Sequence, residues 1–141
     1  MNKKLKQLFS RGSDFLGVDL PIMGGAMTWI SERNLVSATS NAGGFGVIAA
    51  GSMNKIQLEK EIIETRSKTN KPFGVNLILL HPEIESLIEI CLQLEVKLVV
   101  FAGGFPKKRQ VEKLKNNHLK TMCFATTTSI ARKMIDYGID G

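Results

Sequence analysis

Five short, continuously apolar runs recur along the chain, each followed by a segment of helical periodicity, and this alternation restricts the fold more than any other feature. The runs are LPIM at 20–23, FGVIAA at 45–50, PFGVNLILL at 72–80, KLVVFA at 97–102 and LKTMCFA at 119–125. A strand that is apolar at every position, rather than at alternate ones, is built to be buried on both faces. Strands of that kind joined by helices form a parallel sheet, because each helix carries the chain back to begin the next strand in the same direction.

The intervening segments carry helix signals. Ser31 is placed to cap the first helix, with Ile30 and Leu35 in the staple positions on either side of the first turn. NKIQLEKEIIETRSK supplies the second helix, and Ile84, Leu87, Ile88, Cys91 and Leu92 follow Pro82 at i, i+3, i+4, i+7, i+8. One of Thr126, Thr127 and Thr128 caps the fifth helix, whose stripe is Ile130, Ala131, Met134 and Ile135. Gly138 then ends that helix, and IDG reads as a turn into a sixth strand. Two architectures fit. Five βα units complete a flavodoxin-like doubly wound domain, whereas a (β/α)₈ barrel needs about 250 residues and is cut here after its fifth unit. The turn beyond the fifth helix favours the barrel, with 1–141 as the N-terminal part of one domain and no second domain.

Composition narrows the function classes. A chain of 141 residues, 43% hydrophobic and 23% charged, has the makings of one globular core. The net charge of +6 raises the question of nucleic acid. Its densest source, KKRQVEKLKNNHLK from Lys107 to Lys120, is interrupted by Val111 and Leu114 and has no aromatic ring for base stacking, so it reads as a solvated helix face. Cys91 sits on a helix stripe and Cys123 in a strand, without a second ligand pair near either, which argues against a metal site or a disulfide framework and for a reducing compartment. No run of 18 apolar residues is present, and the basic start lacks the apolar core of a signal peptide. The expected setting is the cytoplasm, without membrane or nucleic acid as partner.

In a parallel sheet, function collects where strands end and helices begin. Gly24 and Gly25 follow the first run, Gly51 the second, and Gly103 and Gly104 the fourth, so all lie on that functional rim, where a flat ligand can approach the backbone. The spelling Gly44-Phe45-Gly46-Val47-Ile48-Ala49 matches a dinucleotide fingerprint, but it closes a helix and opens a strand, the reverse of the required context. Gly43 and Gly44 are therefore read as a helix cap and a turn. Asn76 is a polar amide inside an apolar strand and must bond either backbone or a bound polar ligand. His81 follows the third run and can act as a base or help to start the next helix; with no partner visible, helix initiation is the reading adopted. His118 falls on the opposite face, and Met23, Met27 and Trp29 near the first rim can pack or line a flat aromatic pocket.

The stretches DLPIMGGAMTWISERNLVSATSNAGGFGVIAAGSM, KPFGVNLIL and VKLVVFAGGFP, in this order and spacing, resemble the opening of the nitronate monooxygenase (2-nitropropane dioxygenase) family, which includes the flavin-dependent enoyl-acyl-carrier-protein reductases. The resemblance runs from about Gly17 to Gly141. It implies an FMN-binding TIM barrel that oxidises alkyl nitronates with O₂, or alternatively reduces an enoyl thioester with NADH; GGAMTW is nearer the reductase spelling. By position, Gly24, Gly25, Ala26 and Met27 would lie against the isoalloxazine ring, Asn76 would hydrogen-bond FMN, and Gly103 would shape the substrate side. The family's catalytic histidine lies beyond residue 141, and neither His81 nor His118 inherits it. The chain is thus expected to be inactive alone, to act through a complementing C-terminal chain or a homo-oligomer, or, in a third reading, to be a non-enzymatic doubly wound binding module.

Overall fold

The computed structural model describes residues 3–141. Along them run α1 (Lys3–Leu16), α2 (Arg33–Asn41), β1 (Gly46–Ala49), α3 (Lys55–Lys68), β2 (Phe73–Ile78), α4 (Ile84–Gln93), β3 (Leu98–Ala102), α5 (Lys108–Asn116), β4 (Lys120–Cys123) and α6 (Thr128–Asp136). The four strands pair in the order β1-β2-β3-β4, every pair parallel. That order settles the architecture. A doubly wound sheet reverses direction and adds strands on both sides of its first one, whereas a barrel adds each strand beside the last. The doubly wound alternative, and the binding module built on it, do not fit this sheet.

The first apolar run is not a full strand. Met23 makes a single parallel bridge to Phe45, closed by Phe45 N–H to Ile22 O and Gly24 N–H to Phe45 O, both 2.9 Å. Pro21 offers no N–H to lengthen the ladder, and the chain turns away at the following glycines. The other four runs form strands that are shorter than their apolar spans by at most two residues at either end.

Side chains alternate across the sheet. Ile48, Val75, Leu77, Val99 and Phe101 point to the helical layer and form the main core with Leu58, Ile62, Leu87, Ile88, Val111 and Leu114, all at most marginally exposed. The opposite, concave face carries Phe45, Val47, Leu98 and Val100, against which Phe15 and Leu16 of α1 pack. Gly46 permits the closest approach in this packing: a Cβ there would lie 2.3 Å from Val36 O of α2. Gly43, with φ of 92°, follows α2 as the left-handed residue that the turn reading expects.

Local signals explain most boundaries. Asn54 and Gln57 form a reciprocal capping box on α3, and Thr127 Oγ1 accepts the Ile130 N–H at the start of α6. Ser31 does not cap α2. Glu32 does, its carboxylate accepting the N–H groups of Asn34 and Leu35 at 3.0 and 3.3 Å. From α3, the buried Glu61 carboxylate accepts the backbone N–H of Arg33 and its guanidinium, the latter at 2.7 Å, and so locks α2 to α3. Helix α1, which the sequence reading left unassigned, ends against Pro21, where a Cβ on Gly12 would be 2.6 Å from the proline ring.

Candidate functional site

The carboxyl ends of the strands form a rim on which the expected residues gather. Gly24 and Gly25 leave the Met23 bridge, and Gly25, Ala26 and Met27 are exposed. The loop that follows is held in shape by Ser31, whose buried hydroxyl donates to Gly25 O and accepts from Met27 N–H, each at 2.9 Å. Ser31 O in turn accepts the Ala49 N–H of β1 at 3.0 Å. Sequence reasoning placed Ser31 nearby but gave it the wrong task; a serine six residues after a Gly-Gly pair carries no pattern that separates a loop clamp from a helix cap.

Ala49 is the register partner of Asn76, which faces the concave side of β2 between Ala49 and Val100. Ser31 thereby links the glycine loop to the strand that carries the amide. The Asn76 side chain is 7% exposed and, among the described residues, makes no hydrogen bond; only its backbone carbonyl is used, by Ala50 N–H at 3.1 Å. Its amide atoms are not closed off from solvent, so a ligand lying over the concave side of β2 can take up their hydrogen bonds without displacing a protein partner.

Gly103 sits beyond the end of β3 with φ of 71°, a conformation that disfavours any other residue, and its Cα faces Ile78 at the end of β2. Ile78 lies two positions past Asn76 on the same face, so the two rim residues share one patch. Gly25 has open space where a Cβ would project, with nothing within 4 Å. Gly24, Gly25 and Met27 also line a small cavity of about 180 Å³ with Ser31, Leu35 and Val47; it does not reach Asn76 or Gly103. Larger hollows, of about 390 and 260 Å³, lie at the opposite ends of the strands around Lys71, Lys97 and His118, away from this rim.

Apolar side chains surround the patch. Met27, Trp29, Leu80, Phe105 and Phe124 all project into solvent from loops at the strand ends. Trp29 holds a left-handed φ of 66°, unusual for a bulky residue, and its side chain is exposed at the loop tip.

His81 has the modest role expected of it. Its Nδ1 accepts the Glu83 N–H at 3.0 Å and its carbonyl accepts the Ile84 N–H at 3.1 Å, so the ring starts α4 with its acceptor nitrogen already engaged. His118 lies after α5 at the far end of the strands, with φ of 63°. The basic segment around α5 buries Gln110, Val111 and Leu114, while Arg109, Lys113 and Lys115 pair with Glu85, Glu89 and Asp140. Burial raises the Cys91 thiol from its ordinary 9.0 to about 12 and also raises Cys123. Among the described residues, no three His, Cys, Asp or Glu side chains come close enough to hold a metal, and no helix is long and apolar enough to cross a membrane.

The chain has counterparts among known proteins. The family described as nitronate monooxygenase matches residues 10–87. A nitronate monooxygenase of Paraburkholderia phytofirmans is 42% identical over 67 residues, 48% of this chain and 18% of its own. A dehydrogenase of an indene-carboxyl-CoA from Rhodococcus jostii is 30% identical over 128 residues, covering 91% of this chain and 36% of its own length. In structure, FabK from Thermotoga maritima superposes with a TM-score of 0.89 at 38% identity, over 92% of this chain and 42% of that one. The chain spans less than half the length of each of these proteins, and what it shares with FabK is part of a TIM barrel.

Proposed function

The chain belongs to the nitronate monooxygenase family, and from that premise we propose that its strand-end rim holds FMN in an oxidoreductase acting on alkyl nitronates with O₂. The observation that carries the reading is Asn76, a largely buried residue whose solvent-reaching amide has no protein partner, beside a rim bordered by Gly25 and Gly103. These residues fit the cofactor. An amide can both donate to and accept from the polar edge of an isoalloxazine ring, and glycines let a planar ring approach the main chain. In this reading Gly24, Gly25, Ala26 and Met27 lie against the ring, Asn76 bonds its edge, and Gly103 keeps the substrate side open. When bound, FMN supplies redox chemistry that no protein side chain offers.

The remaining residues orient and shield. Ser31 holds the glycine loop at the distance set by Ala49, and Met27, Trp29 and Phe105 exclude water from an apolar substrate. Proton transfer is not assigned to His81, because its lone pair is committed to Glu83 N–H. Two unpaired thiols, Cys91 and Cys123, support a cytoplasmic setting.

A second reading, reduction of an enoyl thioester with NADH, draws support for a thioester substrate from one relative. The carboxyl-CoA dehydrogenase aligns over 128 residues that make up 91% of this chain, hence almost without gaps in it. A probable nitronate monooxygenase of Staphylococcus saprophyticus needs 169 positions to match 95% of the chain, leaving about 35 with no counterpart here. The test is the visible absorption spectrum of the purified chain with and without added FMN. A shifted, structured flavin band that dialysis does not remove is expected, and Asn76→Ala should weaken binding by about tenfold. An unshifted spectrum of free FMN would overturn the cofactor reading, and assays with a nitronate and an enoyl thioester, run with any complementing chain present, separate the two reactions.

A further inference from the structure

Beneath the amino ends of β2 and β3, away from the rim, lies a hollow of about 390 Å³, larger than the cavity beside the glycine loop. Its walls are the loops at 69–72 and 95–97, where α3 and α4 hand over to strands that are each paired on both edges. Three cations line it, Arg66, Lys71 and Lys97, against one carboxylate, Glu95. Elsewhere on the helical surface Lys60, Lys108, Arg109, Lys113 and Lys115 each face a carboxylate. Among the described residues the ammonium groups of Lys71 and Lys97 have no such partner; only the Lys71 main chain is bonded. Like charges gathered in one concave site repel one another, and an anion of two or more charges offsets that repulsion.

The groups are also held in place. Arg66 Nη2 donates to the carbonyls of Leu94 and Glu95, which anchors the guanidinium and leaves its Nε and Nη1 donors without a protein acceptor. On the facing loop, Thr69 Oγ1 donates to Asn41 Oδ1 at 2.6 Å and accepts the Lys71 N–H at 3.1 Å. Asn41 Nδ2 donates to Lys68 O at 3.2 Å, so the main chain that carries Lys71 is braced from α2. A site shaped in advance binds with less ordering cost than one that must assemble. Pro72, Phe73 and Val96 give the hollow an apolar side, and its volume falls in the range of small-molecule sites.

We propose that this hollow binds an organic diphosphate of nucleotide size, at a site separate from the strand-end rim. The diphosphate lies between Arg66, whose planar fork suits paired phosphate oxygens, and the ammonium groups of Lys71 and Lys97. The organic part rests on Pro72 and Val96. Glu95 offsets one of the three cations, and the charge that remains matches a diphosphate better than a single carboxylate.

The experiment is isothermal titration of the purified chain with ADP, with inorganic pyrophosphate and adenosine as comparison probes. Saturable one-to-one binding of ADP is expected, weaker binding of pyrophosphate, none of adenosine, and no change in the ADP isotherm when FMN is present. Lys71→Gln and Lys97→Gln should each weaken ADP binding by about tenfold, and Glu95→Gln should tighten it. Lys60→Gln removes the same charge from the outer face of α3 and should leave binding unchanged. Absence of saturable ADP binding, displacement of ADP by FMN, pyrophosphate binding as tight as that of ADP, or an equal loss from Lys60→Gln would each overturn the proposal.

Discussion

Single residues in this protein show two kinds of cost, and both are measurable. Glu95 and His118 hold left-handed backbone conformations, φ of 46° and 63°, just past α4 and α5, where the following N–H groups bond back to Cys91 O and Leu114 O. Glycine meets that geometry without a Cβ clash, so Glu95→Gly and His118→Gly should each stabilise the fold by about 0.5–1 kcal/mol in urea unfolding. Cys91 carries the opposite kind of cost. Its thiol titrates near 12 in the folded chain against 9.0 ordinarily, so above pH 9.0 the unfolded chain loses a proton that the folded one keeps. Stability from this group is complete below 9.0 and declines by about 1.4 kcal/mol per pH unit until about 12. Unfolding measured across that window should show a shallower decline in Cys91→Ala than in the parent; identical slopes would rule the assignment out.

At the level of elements, the connections between helices and strands matter more than the helices themselves. Glu61 ties α3 to the first turn of α2 through backbone and guanidinium, and no other buried carboxylate is found among the described residues. Glu61→Gln keeps the shape and removes the charge, and it should destabilise by about 1.5–3 kcal/mol in chemical denaturation, since hydrogen bonds to a charged acceptor are lost. Ser31 is the corresponding tie for the rim. Ser31→Ala frees both Gly25 O and Met27 N–H, and the expected result is weaker FMN retention with little change in the unfolding midpoint. A large loss of stability with FMN retention unchanged would mean that the hydroxyl serves the fold and not the site.

For the whole molecule, the parallel sheet has an inside and two outsides. β2 and β3 are bonded on both edges and lie between the helical layer and the concave face, whereas β4 has only a few residues beyond it and Met23 only a bridge. Hydrogen exchange should therefore be slowest at Val75, Leu77 and Val99, and faster by orders of magnitude at Met23 and Met122. Uniform protection across all four strands would contradict this ranking of the strands.

The sequence by itself determined the βα alternation, the parallel sheet, the helix starts at Asn54 and within Thr126–Thr128, and the placement of Gly25 and Gly103 past strand ends and of Asn76 inside a strand. Each of these follows from local chemistry: an apolar run, a side-chain oxygen before a helix, a residue type in the wrong surroundings. The family resemblance added a cofactor and a reaction that spacing alone does not carry. Only the tertiary structure decided that the sheet adds strands in one direction, which separated the barrel from the doubly wound alternative. It also reduced the first run to a bridge, turned Ser31 from a cap into a clamp, and revealed α1 packed on the concave face of the sheet. Those outcomes depend on which main-chain groups meet across long separations, and a pattern read along the chain records what each residue prefers without recording whom it meets.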